Sequence, residues 1–256
     1  MTGASSGIGL ELAKQFAQHG FDLLVTAEGP DIQQAARSFE GLGARVETAQ
    51  ADLASYDGVE SLYRAIQGVG RPVDAIAINA GVGVGGDFAR QTALEDELNL
   101  INLNVVSTVH LAKRVVPDMV ARGQGRVLFT SSIAALMPGA FEAVYAASKS
   151  FVQSFAEALR NELKDTGVTV TALQPGPTET NFFHRAGMDD TKVGQSSKDD
   201  PADVAKQGFE ALMAGKDQVL AGSIKTKLQG AVAKVAPATL NAEQHRSMAE
   251  PGSGKQ

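Results

Sequence analysis

Short apolar runs alternate with amphipathic stretches along most of the chain, and this alternation predicts βαβ units around a parallel sheet. Ile8, Leu12 and Phe16 recur every four positions and mark a helix that stops at Gly20. Residues 21–27 (FDLLVTA) are an apolar run of strand length. Residues 31–42 pattern as a helix, 44–49 (ARVETA) as a short strand, 55–67 as a helix and 73–79 (VDAIAIN) as a strand. A long helix is predicted over 95–121, a strand over 126–131, a helix from about 142 to 164 and a strand over 168–173.

Residues 182–200 break this rhythm. They are polar and poorly periodic, with Phe182, Phe183 and Met188 as apolar points, and predict a mobile loop or lid over a substrate. Asp199-Asp200-Pro201 then opens a helix, an acidic cap followed by proline in the first turn. Residues 217–221 read as a last strand, 224–236 as a weak amphipathic helix and 241–256 as a disordered tail. With no internal repeat, the expectation is one α/β domain over 1–240 and a tail after it.

Composition narrows the chemistry. The chain has 256 residues, of which 43% are hydrophobic and 20% charged, with a net charge of −6. No run of Lys and Arg points to nucleic acid or an anionic membrane, so neither is expected as a partner. Cysteine is absent, which removes thiol catalysis and cysteine-ligated metals. The four histidines, His19, His110, His184 and His245, show no ligand spacing, and no metal is expected. With neither a signal peptide nor a long apolar span in view, a cytoplasmic protein is expected.

Thr2–Gly9 reads TGASSGIG. Its glycines let the backbone turn tightly and approach a ligand, and the helix that follows points free N–H groups and a positive dipole end at the same place. A pyrophosphate fits both features, although the spacing departs from the G-x-G-x-x-G fingerprint. Gly3–Gly7 also matches the G-x-S-x-G elbow of hydrolases, a reading that needs a later histidine, and the last one, His245, falls in the expected tail. Tyr145 and Lys149 stand four apart, so a helix carries them on one face. There the ammonium would pull the phenol below its free pKa of about 10 and make it a general base.

TGASSGIG, Asp52-Leu53, Asn79-Ala80-Gly81, Asn104, Ser132, Tyr145-x-x-x-Lys149 and Pro175-Gly176 stand in the order and rough spacing of the short-chain dehydrogenase/reductase family, which residues 2–221 therefore resemble. The resemblance implies a Rossmann-like doubly wound sheet that binds NAD or NADP. It implies that Gly3, Ser5, Ser6, Gly7, Ile8 and Gly9 form the pyrophosphate loop, that Asp52 and Leu53 contact adenine, and that Asn79, Ala80 and Gly81 border the cofactor. Pro175, Gly176, Thr178 and Thr180 match the loop that holds the nicotinamide, with Thr180 on the carboxamide. Ser132 would hold the substrate oxygen, Tyr145 would move the proton, and Lys149 would lower the tyrosine pKa and bind the nicotinamide ribose. Asn104 would position a water in a proton relay, and Ser131 would be structural. The implied partners are a small alcohol or ketone and further copies of the chain, as a homodimer or homotetramer paired through the helices at 95–121 and 142–164.

Glu28, with no basic residue beside it at the end of the second family strand, favours NAD over NADP, because an acid there repels a 2′-phosphate. Val82, Val84, Met137, Phe141, Phe182, Phe183 and Met188 would line or cover an apolar pocket for a hydrophobic secondary alcohol or ketone, given the family geometry. The chain departs from the family at its start: the glycine loop opens at residue 2, where a whole central strand would precede it, so a truncated or mis-started chain is expected. A non-catalytic nucleotide-binding relative is the alternative to an enzyme.

Overall fold

The glycine loop runs straight into α1 (Gly7–Gln18), whose Leu12, Ala13, Phe16 and Ala17 are buried. The computed structural model describes residues 1–255. Strands and helices then alternate: β1 (Leu23–Ala27), α2 (Asp31–Glu40), β2 (Val46–Gln50), α3 (Tyr56–Gly68), β3 (Ala75–Ile78), α4 (Leu94–Ile101), α5 (Ser107–Arg122), β4 (Gly125–Thr130), α6 (Ala143–Glu162) and β5 (Val168–Pro175). Two short helices follow, α7 (Phe182–Arg185) and α8 (Lys192–Gln195), then α9 (Pro201–Met213), β6 (Gln218–Ala221), α10 (Ile224–Val235) and α11 (Ala238–Ala249). No helix among the described residues is long and apolar enough to cross a membrane.

All strand pairs are parallel, in two groups: β1 with β2, and β3-β4-β5-β6. Met1 and Thr2 lie between the groups. The Met1 nitrogen donates to Leu24 O (2.8 Å), Thr26 N to Met1 O (3.0 Å) and Thr2 N to Ala77 O (3.0 Å). Two residues thus occupy the central position that the family gives to a full strand. The spatial order is β2-β1-(Met1–Thr2)-β3-β4-β5-β6, a doubly wound sheet whose connections reverse direction at the loop after Thr2.

Both sheet faces are covered, which is why the strands read as unbroken apolar runs. On β4, Leu128 faces a core built with α1, α2 and α9 (Leu12, Phe16, Ile32, Phe39, Val204, Phe209 and Leu212). Its neighbours Val127 and Phe129 face the opposite core, with Val59, Leu62, Val115, Met119 and Val152.

Three expectations change. The helix predicted over 95–121 is interrupted by a π-helical turn at Asn102–Val106, which carries the buried Asn104. The predicted loop at 182–200 contains α7 and α8, and Phe183, Ala186, Met188 and Val193 pack with Ala249 of α11. Their apolar points fit no single helical period because two short helices and a turn converge on that cluster. The tail predicted from 241 onward is mostly α11 and a 3₁₀ turn (Ser253–Lys255); its residue 256 lies outside the described residues. Asn241 is buried, with Nδ2 donating to Ala233 O (2.9 Å), and Gly254 N donates to Asp190 O (2.9 Å).

Candidate active site

A cleft of about 560 Å³ opens at the C-terminal ends of the strands, at the reversal point. Its floor is the glycine loop. Gly3 and Gly7 sit at φ +64° and +56°, and Gly9 passes so close to the chain that a Cβ there would collide with the Gly3 carbonyl. Ser6 makes no side-chain cap to α1, which leaves first-turn N–H groups available to an anion. The Thr2 hydroxyl accepts from the backbone N–H groups of Asn79 and Ala80 (both 2.9 Å), and Thr130 Oγ1 donates to Asn79 Oδ1 (3.0 Å). Asn79 thereby ties the loop to the ends of β3 and β4.

One end of the cleft is acidic. Glu28 and Asp31 follow β1, and Asp52, whose Oδ1 accepts from Ala54 N (2.9 Å), follows β2 beside Leu53. At the other end the first turns of α6 present Tyr145 and Lys149 to Ser132, which follows β4. The Tyr145 phenol faces the Ser132 hydroxyl, which accepts from Ala134 N (3.1 Å). Lys149 Nζ donates to Thr130 O (3.0 Å) and lies 5.8 Å from the centre of the Tyr145 ring. Ser131 Oγ donates to Lys149 O (3.1 Å), the structural role expected of it.

The electrostatics correct one expectation. Burial pushes the Tyr145 phenol above its ordinary range, the charge of Glu142 pushes it the same way, and only the Ser132 hydroxyl opposes them. Burial also brings Lys149 down to about 8. The Lys149 ammonium is turned toward the Thr130 carbonyl. In the chain by itself, Tyr145 is a proton donor.

Every residue expected at the cofactor or the reacting centre lines this cleft except Asn104. The Asn104 carboxamide is spent on its neighbours: Nδ2 donates to Val82 O (2.9 Å) and Ser148 Oγ (3.0 Å), and Oδ1 accepts from Val82 N (3.0 Å). It also walls Gly81, where an added Cβ would stand 3.0 Å from Asn104 Oδ1 and 3.2 Å from Lys149 Nζ.

A family model described as short chain dehydrogenase matches residues 1–191, about three quarters of the chain. The chain belongs to the short-chain dehydrogenase family. It is 31% identical over 214 residues to the NADP-dependent 3-hydroxy acid dehydrogenase YdfG of Salmonella typhi, covering 83% of this chain and 86% of that one. It is 32% identical over 216 residues to the oxidoreductase UcpA of Salmonella typhimurium, covering 83% and 78%. Among solved structures, a short-chain dehydrogenase from Sphingobium yanoikuyae in complex with NADPH aligns at TM-score 0.79 and 29% identity, over 86% of this chain and 85% of that one.

In this short-chain dehydrogenase Val82, Met137, Phe182 and Phe183 line the cleft as expected, with the Phe182 ring 5.1 Å from that of Tyr145. Val84, Phe141 and Met188 do not; they pack behind it. The sequence reading missed the wall made by Glu142 and by Gln244, His245, Met248 and Ala249 of α11. Asn241, His245, Met248 and Ala249 share one face at helical spacing, but two of the four are polar, so a hydrophobic pattern passes over them. The hydrolase alternative loses its histidine here. His245 Nδ1 donates to Ala140 O (2.9 Å) and Nε2 faces Glu142 Oε2 (3.4 Å), whereas Ser5 lies in the glycine loop.

Burial works against a charge on His245, but Glu142 and the Ala140 carbonyl overcome it and hold the ring above the usual imidazole pKa. A group raised on folding stabilises most below its unfolded pKa of about 6.5 and loses that effect as pH rises through the folded value. The thermal midpoint of His245→Gln should therefore lie furthest below wild type in acid and approach it as pH rises above neutrality. A gap that widens with pH would contradict the charged pair.

Proposed function

We propose that this chain is an NAD-dependent dehydrogenase or reductase of secondary alcohols and ketones. The observation that carries the reading is the meeting of Ser132, Tyr145 and Lys149 in a cleft that also holds a glycine-lined helix N-terminus. The cleft fits a nicotinamide dinucleotide. The backbone at Gly7 and Gly9 leaves no room for a side chain, free N–H groups suit a pyrophosphate, and acids at the far end suit ribose hydroxyls. When bound, that group supplies or accepts the hydride at the carbinol carbon.

The remaining steps belong to the chain. In reduction the Tyr145 phenol gives its proton to the carbonyl oxygen, and in oxidation it takes the proton back. The Ser132 hydroxyl donates to the same oxygen and fixes its position. Lys149 offers an ammonium beside the phenol and, toward the dinucleotide, a donor for a ribose. Phe182 and Val82 keep water from the reacting carbon. Asn104 acts as a positioning residue, holding Val82 to Ser148 behind the site.

Glu28 and Asp31 favour NAD, since a 2′-phosphate would meet two acids and no base at that turn. YdfG and the Sphingobium enzyme are described with NADP or NADPH, whereas the acids at this turn favour NAD in the chain. Initial rates with NADH and NADPH over a panel of ketones test both parts. We expect kcat/KM with NADH to exceed that with NADPH by about tenfold or more. The reverse preference overturns the cofactor assignment alone. Nucleotide binding without turnover of any ketone favours the non-catalytic reading.

Two copies are proposed to pair through α4, α5 and α6, where Leu94, Leu98, Ile101, Val109 and Phe151 are exposed around a groove lined by Phe88, Val105, Val144 and Ala147. Light scattering at micromolar concentration should give at least twice the mass of one chain; a single-chain mass excludes the pairing. We assign the enzyme to the cytoplasm, where a nicotinamide cofactor pool is at hand.

A further inference from the structure

Helix α10 turns its apolar side outward. Its buried residues are small, Thr226, Gly230 and Ala233. The large aliphatic ones, Ile224, Leu228, Val232 and Val235, are exposed, Ile224 at 86% and Val235 at 84%. At about 100° per residue these four fall in one stripe along the helix, with the exposed Ala231 among them. Lys225 lies on one flank of the stripe and Lys227 and Lys234 on the other, all exposed. The helix carries no acid.

The inner side is fastened, so a fixed helix presents the stripe. Thr226 Oγ1 donates to Asp199 Oδ2 (2.6 Å), and Asn241 Nδ2 of α11 donates to Ala233 O (2.9 Å). Gly230 sits so close to β6 that an added Cβ would stand 2.8 Å from the Leu220 side chain. Turning the helix would drive leucine- and isoleucine-sized groups into spaces shaped for Thr, Gly and Ala. Among the described residues nothing covers the stripe. Single exposed aliphatic residues are ordinary, whereas a contiguous row of them marks an interaction surface.

The make-up of this face selects its partner. Protein interfaces gather aromatic residues and Arg and are poor in Lys. Here the apolar residues are all aliphatic and the cations are all Lys. A second copy laid along the stripe would set its lysines against those of the first, which repel. A bilayer suits both parts. The aliphatic side chains enter among the acyl chains, and the lysines, on long flexible stems, reach the lipid phosphates. The chain as a whole carries −6, so the sign of charge reverses locally on this helix. No run of lysines announces it, because helical winding gathers residues that chain order separates.

We infer that α10 docks the protein on an anionic phospholipid surface, lying flat in the headgroup layer. This revises the expectation that no membrane takes part: the protein rests on the bilayer, and no described helix spans it. Gln229 of α10 lines the cleft, so docking holds the cleft close to the lipid. The inference stands apart from the oxidoreductase reading, because α10 carries none of the reacting groups.

Sedimentation of the full chain with vesicles tests it. One set of vesicles is phosphatidylcholine alone, the other phosphatidylcholine and phosphatidylserine in equal parts. Wild type should bind the mixed vesicles about 10- to 100-fold more tightly, the effect expected of lysines held near an anionic surface. Leu228→Glu combined with Val235→Glu should abolish binding. Replacing Lys225, Lys227 and Lys234 together by Gln should remove the preference for the anionic lipid, with thermal melts reporting the fold of each variant. Absence of wild type from the sedimented mixed vesicles overturns the inference, and so does equal affinity for the two kinds; these comparisons decide even if a variant fails to fold. Binding that survives Leu228→Glu with Val235→Glu overturns it as well. A mass by light scattering that falls in that variant, when wild type ignores vesicles, overturns it in favour of a second copy on the stripe.

Discussion

Tyr145→Phe is expected to lower kcat for ketone reduction by about 10²–10⁴, the range for a lost general acid–base. Phenylalanine keeps the ring that packs 5.1 Å from Phe182, so the pocket should hold its shape. What disappears is the hydroxyl proposed to give a proton to an oxygen held by Ser132. Ser132 loses a partner but stays near the surface of the cleft, where water can replace it. Dinucleotide affinity, set mainly at the glycine loop, should change only a few-fold. Single-turnover rates and a fluorescence titration with NADH check the two halves separately. Turnover close to wild type would remove Tyr145 from the mechanism.

Gly9→Ala should have the largest effect on binding and stability together. The added Cβ would overlap the backbone carbonyl of Gly3 and stand 2.6 Å from Asn79 Nδ2. A flexible side chain could swing aside, but the Gly3 carbonyl belongs to the turn that the anion site requires. Overpacking of this kind costs about 1–3 kcal/mol and more where backbone must move. We expect a loss of about 3 kcal/mol in denaturant unfolding and at least a tenfold rise in the dinucleotide Kd. Gly68→Ala is the control: no atom lies within 4 Å of its added Cβ, and it ends α3, so it should be neutral or slightly stabilising. Equal behaviour of the two variants would mean that the loop tolerates displacement and that its close approach is unimportant.

Most strands and helices were legible because a sheet covered on both faces demands unbroken apolar strands between periodic helices, as at Leu128 with its neighbours Val127 and Phe129. The cleft residues were legible because the glycine loop and the Tyr145–Lys149 pair obey local rules of backbone freedom and helical spacing. What escaped depends on contacts between distant segments. The π turn at Asn104 is invisible in a pattern that continues through it, and is fixed by bonds to Val82 and Ser148. Helix α11 turns Asn241 and His245 inward, so its buried face looks like a solvated one. The proton affinity of Tyr145 was misjudged because spacing showed the ammonium but not the desolvation around the phenol.

The two-residue bridge at Met1–Thr2 has a consequence for how the molecule holds together. The cleft straddles the joint it makes: Glu28 and Asp52 hang from the β1–β2 flap, whereas Asn79, Ser132 and Pro175 sit on the four-stranded slab. A ligand spanning both would act as a rivet between them. Occupancy would then tighten the flap against the slab, and the same molecule that brings the redox chemistry would serve as a mechanical fastener of the fold.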